Sequence, residues 1–113
     1  MVKTKRVYDS VSKGDGKRIL VDRIWPRGLK KEEAHADEWL KEIAPSTGLR
    51  KWFGHDPKKW SAFKKKYEKE LKSHSETIKR IRSEAKKKTV TLLFSARNED
   101  QNQAVVLKEI LSR

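Results

Sequence analysis

Two short runs constrain this chain more than anything else in it. Arg18-Ile19-Leu20-Val21 is apolar without alternation after its first residue, as in a strand buried on both faces. Thr89-Val90-Thr91-Leu92-Leu93-Phe94 is β-branched and apolar, the clearest strand in the sequence. Everything between them reads as helix. A connection that long and helical favours parallel pairing of the two runs, with a right-handed crossover as the default. A third, weaker strand is expected at Lys5-Arg6-Val7-Tyr8. The turn Lys13-Gly14-Asp15-Gly16 that follows could close a hairpin or end a short parallel crossover.

The helices are marked by spacing and caps. One is expected over residues 30–44, with Ala36, Trp39, Leu40 and Ile43 on one face and Pro45 ending it. Ser46 can cap a short piece carrying Leu49, Trp52 and Phe53. Asp56-Pro57 reads as an N-cap with proline at the first helical position, followed by a stripe of Trp60, Phe63, Tyr67 and Leu71. Ser73 and Glu76 have the spacing of a capping box ahead of Ile78, Ile81 and Ala85. Asp100 or Asn98 can cap a last helix burying Ala104, Leu107, Ile110 and Leu111. The order β, β, helices, β, α predicts an α/β fold: one domain over 1–113, its small, about three-stranded and mostly parallel sheet packed by helices.

The 113 residues fit one domain with one core. Only 35% are hydrophobic, but four tryptophans, three phenylalanines and two tyrosines are spread along the chain, and their periodic placement argues against disorder. There is no cysteine, which excludes disulfides, thiolate catalysis and cysteine-ligated zinc or iron–sulfur sites. No apolar run is long enough to span a bilayer, and the charged N-terminus lacks the apolar stretch of a signal peptide; a cytoplasmic location is expected, with no membrane partner.

In a parallel sheet, ligands usually bind beyond the carboxyl ends of the strands. Asp22 to Gly28 follow the second strand and Ser95 to Asn98 follow the third. Parallel pairing would bring Asp22, Arg23 and Arg97 to one edge, where arginine forks suit carboxylate or phosphate and an aspartate could orient one of them. Alternatively, Asp22 only pairs with Arg23 or Arg97 and holds a loop.

Ile19-Leu20-Val21-Asp22-Arg23-Ile24-Trp25-Pro26-Arg27-Gly28 closely resembles a signature of the YeaO-like branch of the domain of unknown function 488 family. So do Trp39-Leu40, Ala44-Pro45-Ser46, Leu49 to Pro57, Phe63, Tyr67 to Leu71 and Asn102 to Leu107, in order along almost the whole chain. The family name assigns no reaction. The resemblance further implies an Asp-Val-Arg after the second strand, matched here by Asp22-Arg23. It also implies a Cys-His-Arg leading into the last helix, where this chain has Asn102-Gln103-Ala104.

Among other candidates, His35, His55 and His74 show no metal-ligand spacing, and neither a metal nor a cofactor is expected. His55, in the Trp-Phe-Gly-His-Asp-Pro turn, suits either proton transfer or a hydrogen bond that fixes the turn. Of the net charge of +13, residues 58–88 hold +9, as thirteen Lys/Arg against four Glu. Lysines there interleave with aromatics, a pattern of nucleic-acid binding and equally of an amphipathic helix with a solvated face.

Two functions are therefore expected, on different surfaces. The first is a pocket at the carboxyl edge that binds an anionic or nucleotide-like small ligand, with or without catalysis. Asp22, Arg23, Arg27, Arg97 and Asn102 would bind the ligand, and His55 and Tyr67 would transfer protons. The second is a nucleic-acid-binding module using Lys58, Lys59, Lys65, Lys66 and Lys69 of the basic segment. The oligomeric state stays open.

Overall fold

The computed structural model describes residues 1–113. Its sheet has four strands, all parallel: β1 (Val2–Arg6), β2 (Lys17–Leu20), β3 (Glu38–Trp39) and β4 (Val90–Phe94), in the order β1-β4-β2-β3. Both long apolar runs lie at the centre. Ile19 pairs with Leu92 and Leu20 with Leu93, and all four are fully buried. The first two strands are neither a hairpin nor neighbours, because β4 inserts between them and pairs with each. The turn before β2 passes so close to β4 that a Cβ on Gly16, at φ 62°, would lie 2.2 Å from the Thr89 carbonyl oxygen.

The unbroken apolar runs have the expected cause, a sheet covered on both faces. Ile19, Val21, Leu92 and Phe94 face the larger core, formed with α2 (Thr47–Phe53), α3 (Trp60–Leu71), α4 (Ser75–Lys87) and α5 (Gln103–Leu111). Leu20 and Leu93 face a smaller one, completed by Val7, by Ala34 of the short helix α1 (Lys31–Ala34) and by the Trp25 and Trp39 rings. Phe63, Tyr67 and Leu71 are buried along α3, as their spacing predicts; Ile78, Ile81 and Ala85 do the same on α4. No helix is long and apolar enough to cross a membrane.

The single helix expected over 30–44 does not form. The Arg18 guanidinium, itself buried, donates to the carbonyl oxygens of Ala34 and His35, both at 3.0 Å. Those carbonyls are thereby withdrawn from helix propagation, and His35 turns left-handed at φ 47°. Asp37 then bonds both main-chain groups of Arg18, and the next residues add β3 as a fourth strand. The expected Ser73–Glu76 capping box is also absent. A 3-10 turn, Lys72–His74, joins α3 to α4, and the Ser73 hydroxyl donates back to the Glu70 carbonyl.

Candidate functional site

The chain leaves β2 toward the face covered by α1, and leaves β4 toward α5 on the opposite face. Adjacent parallel strands whose connections diverge leave a crevice beyond their carboxyl ends. A cavity of about 500 Å³ occupies it. Its inner end is built from Asp22 after β2, Ser95 and Ala96 after β4, and Asn102 and Gln103 where α5 begins.

Each of these groups is fixed by bonds that the neighbouring elements supply. The Trp39 indole N–H donates to the Asp22 carbonyl at 2.7 Å, and the Trp25 ring packs edge-on against Trp39 with centroids 5.3 Å apart. Tyr8 donates its hydroxyl to the Arg27 carbonyl at 2.7 Å. On the other side, Arg6 of β1 donates to the carbonyls of Ser95 and Ala96, both at 3.1 Å. Asn102 is the N-cap of α5: its side-chain oxygen accepts from the N–H groups of Ala104 and Val105, and its amide donates to the Asn98 carbonyl. Asn98, in turn, closes a tight turn by accepting from Asp100 and Gln101 in place of capping the helix.

Asp22 is 7% exposed and pairs with neither Arg23 nor Arg97. Its Oδ2 accepts from the Ser95 N–H at 3.1 Å and its Oδ1 from the Gln103 amide at 2.6 Å. Burial pushes this carboxyl above its ordinary range, against the pull of the Ser95 and Gln103 bonds and of the Arg50 charge. Arg23 lines the cavity, but two of its nitrogens donate to the carbonyls of Pro45 at 2.8 Å and Ala44 at 2.9 Å, which fixes the chain as it enters α2.

At the mouth stand Arg27, Arg50, Lys51 and His55, all exposed and all without an ion-pair partner. Ser46 places Arg50 and Lys51 by capping α2, accepting from the Leu49 N–H at 3.1 Å while its own hydroxyl donates to Glu70. His55 is left-handed at φ 57° and its ring makes no hydrogen bond. The turn is held instead by main-chain bonds from Gly54 to Arg50 and from Asp56 to Phe53. Phe53 and Phe63, stacked with centroids 4.3 Å apart, and Pro26 and Pro45 give the cavity apolar walls.

Five of the seven residues expected from sequence thus line this one cavity: Asp22, Arg23, Arg27, His55 and Asn102. Arg97 is exposed outside it. Tyr67 lies in the core, wholly buried, and donates its hydroxyl to the Ile43 carbonyl. Burial raises its pKa well above the ordinary tyrosine value, so it keeps its proton. Arg50, Lys51 and Gln103 were not legible as site residues, because polar positions on a helix read as solvent-facing until the tertiary fold turns them inward. Away from the cavity, Lys58, Lys65, Lys66 and Lys69 are exposed along α3 and its entry, and Lys59 is half-buried. The ammonium groups of Lys59 and Lys66 sit 5.1 and 5.0 Å from the centre of the Trp52 ring.

The chain is 49% identical over 110 residues to YeaO, an uncharacterized protein of Escherichia coli (strain K12), covering 97% of this chain and 96% of that one. It is 35% identical over 111 residues to the uncharacterized protein Rv3073c of Mycobacterium tuberculosis (strain ATCC 25618 / H37Rv), covering 98% and 93%. No solved structure matches it. A family model described as the inactive DUF488-N3 subclade matches residues 1–113 from end to end, and the chain belongs to that family.

Proposed function

We propose that this protein binds an anionic, nucleotide-like small molecule in the cavity beyond β2 and β4, and that it does so without catalysis. The observation that carries the reading is the distribution of charge around one concavity. Arg27, Arg50 and Lys51 surround its mouth with no acidic partner, and apolar rings line its wall. Unpaired cations around an apolar hollow suit a ligand that combines a planar body with a phosphate or carboxylate.

The absence of catalysis has separate support. The family resemblance places a thiol and an imidazole at the start of the last helix, where this chain has Asn102 and Gln103. Here one amide is spent on the helix cap and the other on Asp22. The matching family is described as inactive. His55 is then a rim contact to the ligand's charge.

Calorimetric titration with guanosine 5′-monophosphate tests the reading. The Arg50→Ala/Lys51→Ala double variant should bind it at least about 10-fold more weakly than the wild type, since one charge-assisted hydrogen bond is worth about 1.5–3 kcal/mol.

One observation favours a second reading, a nucleic-acid face where Trp52 of α2 meets the lysines of α3 and its entry. Trp52 is 38% exposed and its ring is approached by two ammonium groups, an arrangement that suits stacked bases and a phosphate backbone.

A further inference from the structure

Two carboxylates in this molecule are buried, and they are served in opposite ways. Asp15, 5% exposed, has two cations: Lys5 at 3.1 Å and Arg18 at 2.5 Å, besides the Ser12 N–H and hydroxyl. It pins the amino end of β2 and faces no cavity in the sheet's crevice. That is how this chain satisfies a carboxylate whose role is structural. Asp22 has no cation within ion-pair distance, and the donors that reach it are neutral groups of Ser95 and Gln103. It is also the only carboxylate lining the cavity. A carboxylate accepts about four hydrogen bonds, and the capacity that Ser95 and Gln103 leave at Asp22 faces the cavity.

The surroundings restrict what that occupant can be. A cationic ligand would have to pass Arg27, Arg50 and Lys51. A ligand anionic throughout would meet Asp22 at the inner end. What fits both ends is a molecule with neutral N–H donors at one end and negative charge at the other, joined by a planar body that can lie against the phenylalanine wall.

We infer that the cavity takes a nucleoside monophosphate whose base bears an exocyclic amine, the amine donating to Asp22 and the phosphate lying among Arg27, Arg50 and Lys51. This rests on the anion-binding reading above and adds the chemistry of the inner end. Carboxylates read amine-bearing base edges as hydrogen-bond acceptors, and a site built around such a contact discriminates strongly against analogues that lack the donor.

Matched nucleotides provide the test. Guanosine and adenosine 5′-monophosphates are each compared with inosine 5′-monophosphate, and cytidine with uridine 5′-monophosphate, all by calorimetry on the intact chain. At least one amine-bearing member should bind about 10-fold or more tightly than its partner. In Asp22→Asn, that ratio should fall to near one. Binding of all five with ratios near one in the wild type overturns the assignment to Asp22, whatever the variant does. It leaves the anion-binding reading standing if Arg50→Ala/Lys51→Ala still weakens them. No binding by any nucleotide overturns both.

Discussion

At the scale of single residues, Asp22 and Asp15 show what burial alone does to a carboxyl and what partners do. Burial pushes both upward. At Asp15 the Ser12 N–H, Lys5, the Ser12 hydroxyl and Arg18 outweigh it and hold the group well below the carboxylate range. At Asp22 burial wins and the group stays above it. The folded state therefore holds a proton at Asp22 more tightly than the unfolded state does. An ionised Asp22 subtracts stability at neutral pH, and that loss is recovered as pH falls through the raised folded pKa. Asp22→Asn, neutral and of the same shape, should be more stable than the wild type in urea melts at pH 7 without ligand. The difference should shrink on acidification. A variant less stable than the wild type at pH 7 would make Asp22 a structural hub like Asp15.

Local residue chemistry was legible where a side chain acts on its own neighbourhood. Ser46, and Asp56 ahead of Pro57, cap where their spacing says they should. Asp22, Arg23 and Arg27 emerged together because they follow a strand whose carboxyl end was readable. Tyr67 and Arg97 were misplaced for opposite reasons. The Tyr67 hydroxyl satisfies a main-chain carbonyl that no sequence pattern announces, and Arg97 sits in a loop whose direction depends on Arg6 holding Ser95 and Ala96.

At the scale of elements, the central strands were legible because being covered on both faces leaves an unbroken apolar signature. The two-residue β3 has none. Its Trp39 falls into helical register with Ala36, Leu40 and Ile43, and these residues are indeed buried or half-buried. Only the contact from Arg18, far off in sequence, shows that they are reached without a helix. The start of α5 was read too early for a similar reason, since Asn98, Asp100 and Asn102 are all competent caps and only the last is buried against the sheet. Because Asn102 caps the helix that presents Gln103 to Asp22, its substitution reports on that element directly. Asn102→Ala should lower the unfolding free energy by about 1 kcal/mol in urea denaturation, and Asn102→Asp by more, since it buries a carboxylate against the Asn98 carbonyl. Equal, negligible effects would show that the cap does not hold this helix.

At the scale of the whole molecule, the net charge of +13 is divided between two surfaces with different neighbours. Beside α4, Lys17 and Arg80 bracket Glu38 and Glu84, while Lys79, Lys86 and Lys87 of the same helix stay exposed and unpaired. Along α3 most lysines face solvent, and among them Lys64 pairs with Glu109. An exposed basic helix attracts any polyanion through counterion release, whether or not it has a dedicated partner. A labelled single-stranded oligonucleotide should therefore bind weakly at low salt, let go at physiological salt, and be indifferent to Trp52→Ala. Submicromolar binding that survives physiological salt and falls in Trp52→Ala would move the function to the face shared by α2 and α3.

The cations at the cavity mouth bind the ligand only if they act on its charge. Titrating guanosine 5′-monophosphate into the wild type and into Arg50→Ala/Lys51→Ala, with circular dichroism confirming an unchanged fold, measures this most directly. Saturable one-to-one binding that weakens at least about 10-fold in the double variant is the predicted result. Equal affinity in the two proteins, or no binding by the wild type of this or any of the other four nucleotides, would contradict it.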